Sequence, residues 1–374
     1  MDNSFDFDKE LKKIQENIKK PNILICGATG VGKSSFINEV FEQDIAEVGN
    51  GEPVTKGVKR YENSKSYVVL FDSEGYEVGD KKQKYFKEQI VGVIDKYRND
   101  YSKNIDKQIH EVWYFISAAN KRITETDKEC ISLIKSKDVP IAIVVTQIDN
   151  VDENELNDLK NVLENELNGI KYFTVCVTKD KDIAKAVKPY NQKQLLIEWA
   201  LNNLNEALRD GMILSLKKDL DTTRKYINEK IIPKYVLSAS AVAISPIPLS
   251  DSVMLSSIQM TMSLHILSLF KIDKCKGIIT SILNSSIISQ IGKNISKAVL
   301  GNVMKTLPGI GTFVGGAINA TIASSLTAAV GYAITELSYK YSKEILNGKK
   351  IDIMDIFTDE MISNAINNAY NRRK

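Results

Sequence analysis

The chain has 374 residues, 43% hydrophobic and 26% charged, with 50 basic against 47 acidic side chains and a formal net charge of +3. That length supports two separate cores, and the near-balanced charge argues against a protein that coats nucleic acid, so a nucleic-acid partner is unlikely on composition. The four cysteines, Cys26, Cys130, Cys176 and Cys275, lack C-x-x-C spacing, and His110 and His265 stand apart from acidic or cysteine neighbours. A disulfide framework and a zinc site are therefore not expected; the thiols read as reduced and the compartment as cytoplasmic. The amino end is acidic and polar rather than basic then apolar, so no secretory leader is expected.

In chain order, Phe7, Leu11, Ile14 and Ile18 recur at helical spacing among Lys and Glu, which predicts one amphipathic helix within residues 1–20. The apolar run Ile23-Leu24-Ile25-Cys26 predicts a buried strand. It leads into Gly27-Ala28-Thr29-Gly30-Val31-Gly32-Lys33-Ser34, which fits G-x-x-x-x-G-K-[ST], and Ser35 to Phe41 predicts the helix that must follow. Glycines let successive N–H groups of Gly27 to Ser35 curl round a phosphate, and the helix N-terminus adds its positive end. Lys33 reaches the terminal phosphates and Ser34 ligates Mg²⁺. In Pro53-Val54-Thr55-Lys56-Gly57, Thr55 is the candidate hydroxyl that closes on Mg²⁺. Asp72-Ser73-Glu74-Gly75 ends the predicted strand Tyr67 to Phe71 and matches D-x-x-G: Asp72 holds Mg²⁺ through water, and the Gly75 N–H meets the γ-phosphate. These roles give a catalytic set of Lys33, Thr55 and Gly75 and a metal set of Ser34, Thr55 and Asp72.

Beyond Gly75, Tyr85, Phe86, Ile90, Val93, Ile94 and Tyr97 suggest an extended helix, with Lys81-Lys82-Gln83-Lys84 as its solvated face or a partner patch. Thr146-Gln147-Ile148-Asp149 follows the apolar run Ile141 to Val145, at the carboxyl end of a predicted strand where open α/β sheets bind ligands. An aspartate there accepts two hydrogen bonds from guanine that adenine cannot offer, so the expected ligands are GTP and GDP, with Thr146, Gln147 and Asp149 reading the base. After the last predicted strand, Cys176 and Val177 are the placement for the remaining guanine-edge contact. The fold class is α/β: a phosphate-loop domain over residues 21–200, with a mostly parallel six-stranded sheet and helices on both faces, followed by an all-α domain over 201–374.

Gly27 to Phe41, Ala46 to Gly57, Asp72 to Gly79, and Val112 to Ile116 with Arg122, Thr124 and Asp127 together resemble an Era-like GTPase of the translation-factor-related class. Ser245-Pro246-Ile247-Pro248-Leu249-Ser250-Asp251 and Leu307-Pro308-Gly309-Ile310-Gly311-Thr312 resemble the signatures of a hydrophobic helical domain fused to such GTPases in bacteria. In Ras-like enzymes a glutamine after the D-x-x-G glycine orients the attacking water; here Tyr76 stands there, with its bulky ring expected toward the site. The resemblance implies slow intrinsic hydrolysis and catalytic groups recruited from a second nucleotide-binding domain, hence a homodimer through the GTPase domain. Gly30 replaces the loop asparagine that holds potassium in some relatives, so potassium activation is not expected.

In the second domain, Ser252 to Phe270 and Thr306 to Thr335 carry no charge. The latter is long enough to cross a bilayer, yet its Thr312, Asn319, Thr321, Ser324, Ser325 and Thr327, with Gly311, Gly315 and Gly316, suit a packed helix pair equally. A compact helical domain that associates with membrane is the expectation, with localisation in the cytoplasm or at the inner membrane, peripheral or integral. Three functional classes stay open: a GTP-hydrolysing switch engaging a membrane or partner protomer, a GTPase of ribosome or RNA assembly, and a non-catalytic GTP-binding scaffold.

Overall fold

The structure is a computed structural model that describes residues 5–41, 52–55, 57–62, 66–76, 80–244, 251–272, 277–279 and 313–371. The expectations placed on residues 46–51, 56, 77–79, 245–250, 275, 306–312 and 372–374 lie outside them. The chain forms two compact units, one of Ile18–Lys217 and one that joins Met1–Asn17 to Lys218–Lys374. The division falls after Lys217, and the first helix, α1 (Phe7–Asn17), groups with the later helices.

In the Ile18–Lys217 unit the sheet has seven strands, not six. They are β1 (Asn22–Gly27), β2 (Glu52–Thr55), β3 (Val58–Tyr61), β4 (Val69–Ser73), β5 (Glu111–Ser117), β6 (Ile141–Thr146) and β7 (Lys171–Thr174), in the spatial order β2-β3-β4-β1-β5-β6-β7. The strand missed from sequence is β2, whose Glu-Pro-Val-Thr has no apolar run to announce it and pairs only at the edge, with a register shift between Pro53 and Thr55. Strands β4, β1, β5, β6 and β7 are mutually parallel, while β2 and β3 add antiparallel at one side. The central strands β1, β5 and β6 are buried along their whole length, which is why they read as continuous apolar runs.

Helices α2 (Lys33–Val40), α3 (Asp80–Asp100), α4 (Glu125–Lys135), α5 (Glu153–Glu166), α6 (Lys181–Val187), α7 (Lys193–Asn203) and α8 (Glu206–Ser215) complete the unit. Along α3, Phe86, Ile90, Val93 and Ile94 are buried at helical spacing in one cluster with Phe71, Tyr114 and Ile131. Two helix starts are fixed by reciprocal caps: Thr124 with Asp127 on α4, and Asp152 with Glu155 on α5. The end of the unit is tied to its beginning: the Lys217 N–H donates to the Val40 carbonyl at 2.9 Å, and Leu216 bridges to Phe41.

The other unit is helical: α1, α9 (Leu220–Tyr226), α10 (Ile232–Ile244), α11 (Asp251–Leu269), α12 (Phe313–Leu346) and α13 (Asp359–Asn371). Between α9 and α10, Ile227–Ile231 forms a π-helical turn that ends two residues before Pro233, whose missing N–H breaks the regular ladder. Helix α12 packs on α10, α11 and α13. Its Ala328, Ala329, Val330 and Ala333 are buried, and Gln259 of α11 donates to the Thr327 hydroxyl at 3.2 Å. Small residues on α12 thus serve close packing in this bundle. Among the described residues no helix is long and apolar enough to cross a membrane.

Candidate functional site

The phosphate-loop segment joins the carboxyl end of β1 to α2. Gly32, at φ 88°, precedes the first turn of α2, and Ser34 and Ser35 are exposed at its amino end. The Lys33 ammonium lies back along the loop, donating to the carbonyls of Ala28 at 2.9 Å and Gly27 at 3.1 Å. Burial lowers the Lys33 pKa, and Asp72 opposes that shift. Burial pushes Asp72 up to about 6 against the pull of Lys33 and Lys59. A lysine and a carboxyl thus feel one another's charge, both partly withdrawn from solvent.

Of the two loop segments expected to respond to the γ-phosphate, that of Gly75 meets this loop, and the two segments meet each other. Gly75 is pressed on the phosphate loop so closely that a Cβ there would lie 2.5 Å from the Thr29 nitrogen. Beside it, the Thr29 N–H donates to the Tyr76 carbonyl at 3.2 Å. The carbonyl of Gly57, just after Thr55, accepts from the Glu74 N–H at 2.8 Å. Gln89 of α3 covers that turn: a Cβ on Gly57 would fall 2.3 Å from its Oε1. Gln89 was not singled out from sequence, because one glutamine on a charged helix carries no pattern.

Two buried oxygens in this region, Thr55 Oγ1 and Asp72 Oδ1, have no hydrogen-bond partner. Buried oxygens left unsatisfied are costly, and a hard divalent cation with oxygen ligands would satisfy both, so the residues present fit Mg²⁺.

Tyr76 departs from expectation. Its ring turns into the core rather than toward the phosphate loop, packing on Phe86 with centroids 5.1 Å apart. Its phenol donates to Asp127 Oδ1 at 2.8 Å and lies 3.0 Å from Thr124 Oγ1. Burial foremost, with Asp127 adding, holds that phenol well above its ordinary pKa. The ring is apolar enough for the core, and the cap of α4 supplies its one polar need.

At the carboxyl ends of β6 and β7 the expected base-reading residues come together. The Thr146 hydroxyl donates to the Val31 and Ile116 carbonyls, tying this motif to the phosphate loop. Gln147, at φ 56°, accepts from the Ser117 hydroxyl and donates to the Gly30 carbonyl at 3.1 Å. Asp149 is exposed, and the Cys176 thiol donates to its Oδ1 at 3.4 Å. Burial, then that bond, pushes Cys176 up to about 12, so the thiol is protonated. Strand β7 ends at Thr174, and Cys176 and the exposed Val177 lie in the loop beyond it. Ser117 and Asn191, whose amide donates to the Cys176 carbonyl at 3.1 Å, were not foreseen. Neither sits in a recognisable motif.

A profile of the family described as "50S ribosome-binding GTPase" matches residues 22–147. "Probable GTP-binding protein EngB" of Thermoanaerobacter pseudethanolicus is 31% identical over 137 residues, spanning 36% of this chain and 67% of the relative. This chain belongs to the EngB-type P-loop GTPases. A "GTPase Era" of Ureaplasma urealyticum serovar 10 is 27% identical over 141 residues, 37% of this GTPase and 43% of that protein. Among solved structures, one of a probable GTP-binding protein EngB covers 48% of this GTPase and 99% of its own chain at 18% identity and a TM-score of 0.34. Another, of Era with MgGDPNP and nucleotides 1506–1542 of 16S ribosomal RNA, covers 46% and 56% at 16% identity and a TM-score of 0.28. The expectation that nucleic acid is an unlikely partner rested on near-balanced charge and on the lack of a recognisable RNA-binding module, and the description of the matching family lends it no support.

Proposed function

We propose that this GTPase binds Mg²⁺-GTP on the Gly27–Ser35 loop and hydrolyses it to GDP and phosphate as a nucleotide-driven switch, its helical unit engaging a membrane surface or a partner protomer. The observation that carries this reading is the convergence of Lys33, Asp72 and Gly75 on one loop at the carboxyl ends of β1 and β4. Ser34, Thr55 and Asp72 are the residues that would hold Mg²⁺, which when bound offsets phosphate charge and supports transfer of the γ-phosphoryl group. Lys33 leaves its two carbonyl partners for the phosphates, and the loop N–H groups orient them. Gly75 offers its N–H to the γ-phosphate, and Thr146, Gln147, Asp149 and Cys176 select guanine. With Tyr76 turned inward, no glutamine-like group among the described residues of this segment orients water, and hydrolysis is slow in the isolated chain. A second reading, action on the ribosome or RNA, is favoured by the description of the matching family.

Calorimetry with GTP, GDP and ATP in Mg²⁺ tests the binding half. GTP and GDP should bind and ATP should not; equal ATP and GTP affinity would sink the guanine assignment. Turnover measured over a wide protein concentration range, with and without liposomes or ribosomal subunits, tests the rest. Specific activity should rise with concentration or with lipid, whereas a rise with ribosomal subunits alone selects the second reading.

A further inference from the structure

Tyr76 is tied to two places at once. Its carbonyl accepts from the Thr29 N–H of the phosphate loop at 3.2 Å, and its phenol donates to Asp127 Oδ1 at 2.8 Å at the start of α4. Both ties belong to Tyr76 itself, whose nitrogen is joined directly to Gly75, and Gly75 is in contact range of Thr29. The cap of α4 does not need the phenol. Asp127 Oδ2 already accepts from the Thr124 N–H at 3.0 Å and hydroxyl at 2.7 Å, the Asp127 N–H returns to Thr124 Oγ1, and Tyr114 also donates to Oδ1 at 2.8 Å. The Tyr76 bond is therefore additional to a complete cap, and what it fixes is the residue next to Gly75.

We propose that Tyr76 is a positioning residue for the γ-phosphate: its phenol, moored to the cap of α4, holds the Gly75 N–H over the phosphate loop and so favours triphosphate over diphosphate. This rests on the GTPase reading above. A residue in the place of a water-orienting glutamine thereby acts through the backbone beside it, and its side chain touches neither water nor phosphate. Tyr114 provides a control built into the fold, because it makes a bond of the same length to the same oxygen from β5, with no tie to Gly75.

The test compares full-length wild type, Tyr76→Phe and Tyr114→Phe for affinity toward GDP and a non-hydrolysable GTP analogue in Mg²⁺, with urea unfolding measured alongside. Tyr76→Phe should keep GDP affinity and lose about tenfold in affinity for the analogue, the scale of one hydrogen bond to a carboxylate. Tyr114→Phe should lose comparable stability with the analogue-to-GDP ratio unchanged. An unchanged ratio in Tyr76→Phe, or an equal loss in Tyr114→Phe, overturns the positioning role while leaving GTP binding in place. If wild type binds neither nucleotide, the GTPase reading falls and this proposal with it. Should Tyr76→Phe fail to fold, hydrogen exchange of the wild type decides: the analogue, and not GDP, should slow the amides of residues 74–76 and 124–127 together, and independent behaviour overturns the proposal.

Discussion

With its carboxyl pushed up to about 6 by burial, Asp72 must give up a proton before it can serve a cation. The folded-state value lies above the ordinary carboxylate value, so its contribution to the stability of the nucleotide-free fold is complete at acid pH and is lost as pH rises through about 6. Two consequences are measurable. Mg²⁺-dependent nucleotide affinity should strengthen as pH rises through 6, followed by titration calorimetry between pH 5 and 8. Asp72→Asn should stabilise the nucleotide-free protein at pH 7.5 by about 1–3 kcal/mol in urea unfolding while removing the Mg²⁺ dependence of binding. Lys33→Ala should weaken GTP by about tenfold or more, since it deletes a charge-assisted contact worth about 1.5–3 kcal/mol. Candidate roles for these residues could be assigned from sequence because the phosphate loop and D-x-x-G are local patterns with fixed spacing. The direction of Tyr76 was not: which way a side chain turns depends on Phe86, Thr124 and Asp127, brought to it by the packing of α3 and α4.

Among the elements, β1, β5 and β6 were readable because strands buried on both faces are apolar throughout, and α3 because its buried residues keep a helical period. Strand β2 was not, since an edge strand with a proline is defined by its partner rather than by its own residues. In the middle of the sheet, Glu111 begins β5 fully buried, its Oε2 accepting from the Trp113 indole at 3.0 Å and its Oε1 without a partner. Burial pushes it up to about 8, so its favourable contribution is present below the ordinary carboxylate range and fades as pH rises through 8. Glu111→Gln should therefore raise the melting temperature most at pH 9 and least at pH 5, as scanning calorimetry would reveal. In α12, a Cβ on Gly331 would come within 3.0 Å of Ile232 Cγ1 and Met262 Sδ. Gly331→Leu should cost about 1–3 kcal/mol by overpacking.

At the level of the molecule, the two units have separate cores, so damage to one should spare the other. Gly331→Leu, or Ala328→Arg at a position with 0% exposure, should disrupt the helical unit by circular dichroism and proteolysis while GTP affinity changes less than about threefold. A parallel loss of nucleotide binding would mean that the units unfold as one. The chain's path between them adds a mechanical consequence. Lys217 is the last residue of the sheet-bearing unit, its N–H is bonded to Val40, and its ammonium reaches the Asn38 carbonyl at 3.2 Å. Val40 ends the eight-residue helix that Lys33 begins. Tension on the chain beyond Lys217 would therefore bear first on the far end of the short helix that the phosphate loop leads into, so a load there should be read out as a change in nucleotide affinity.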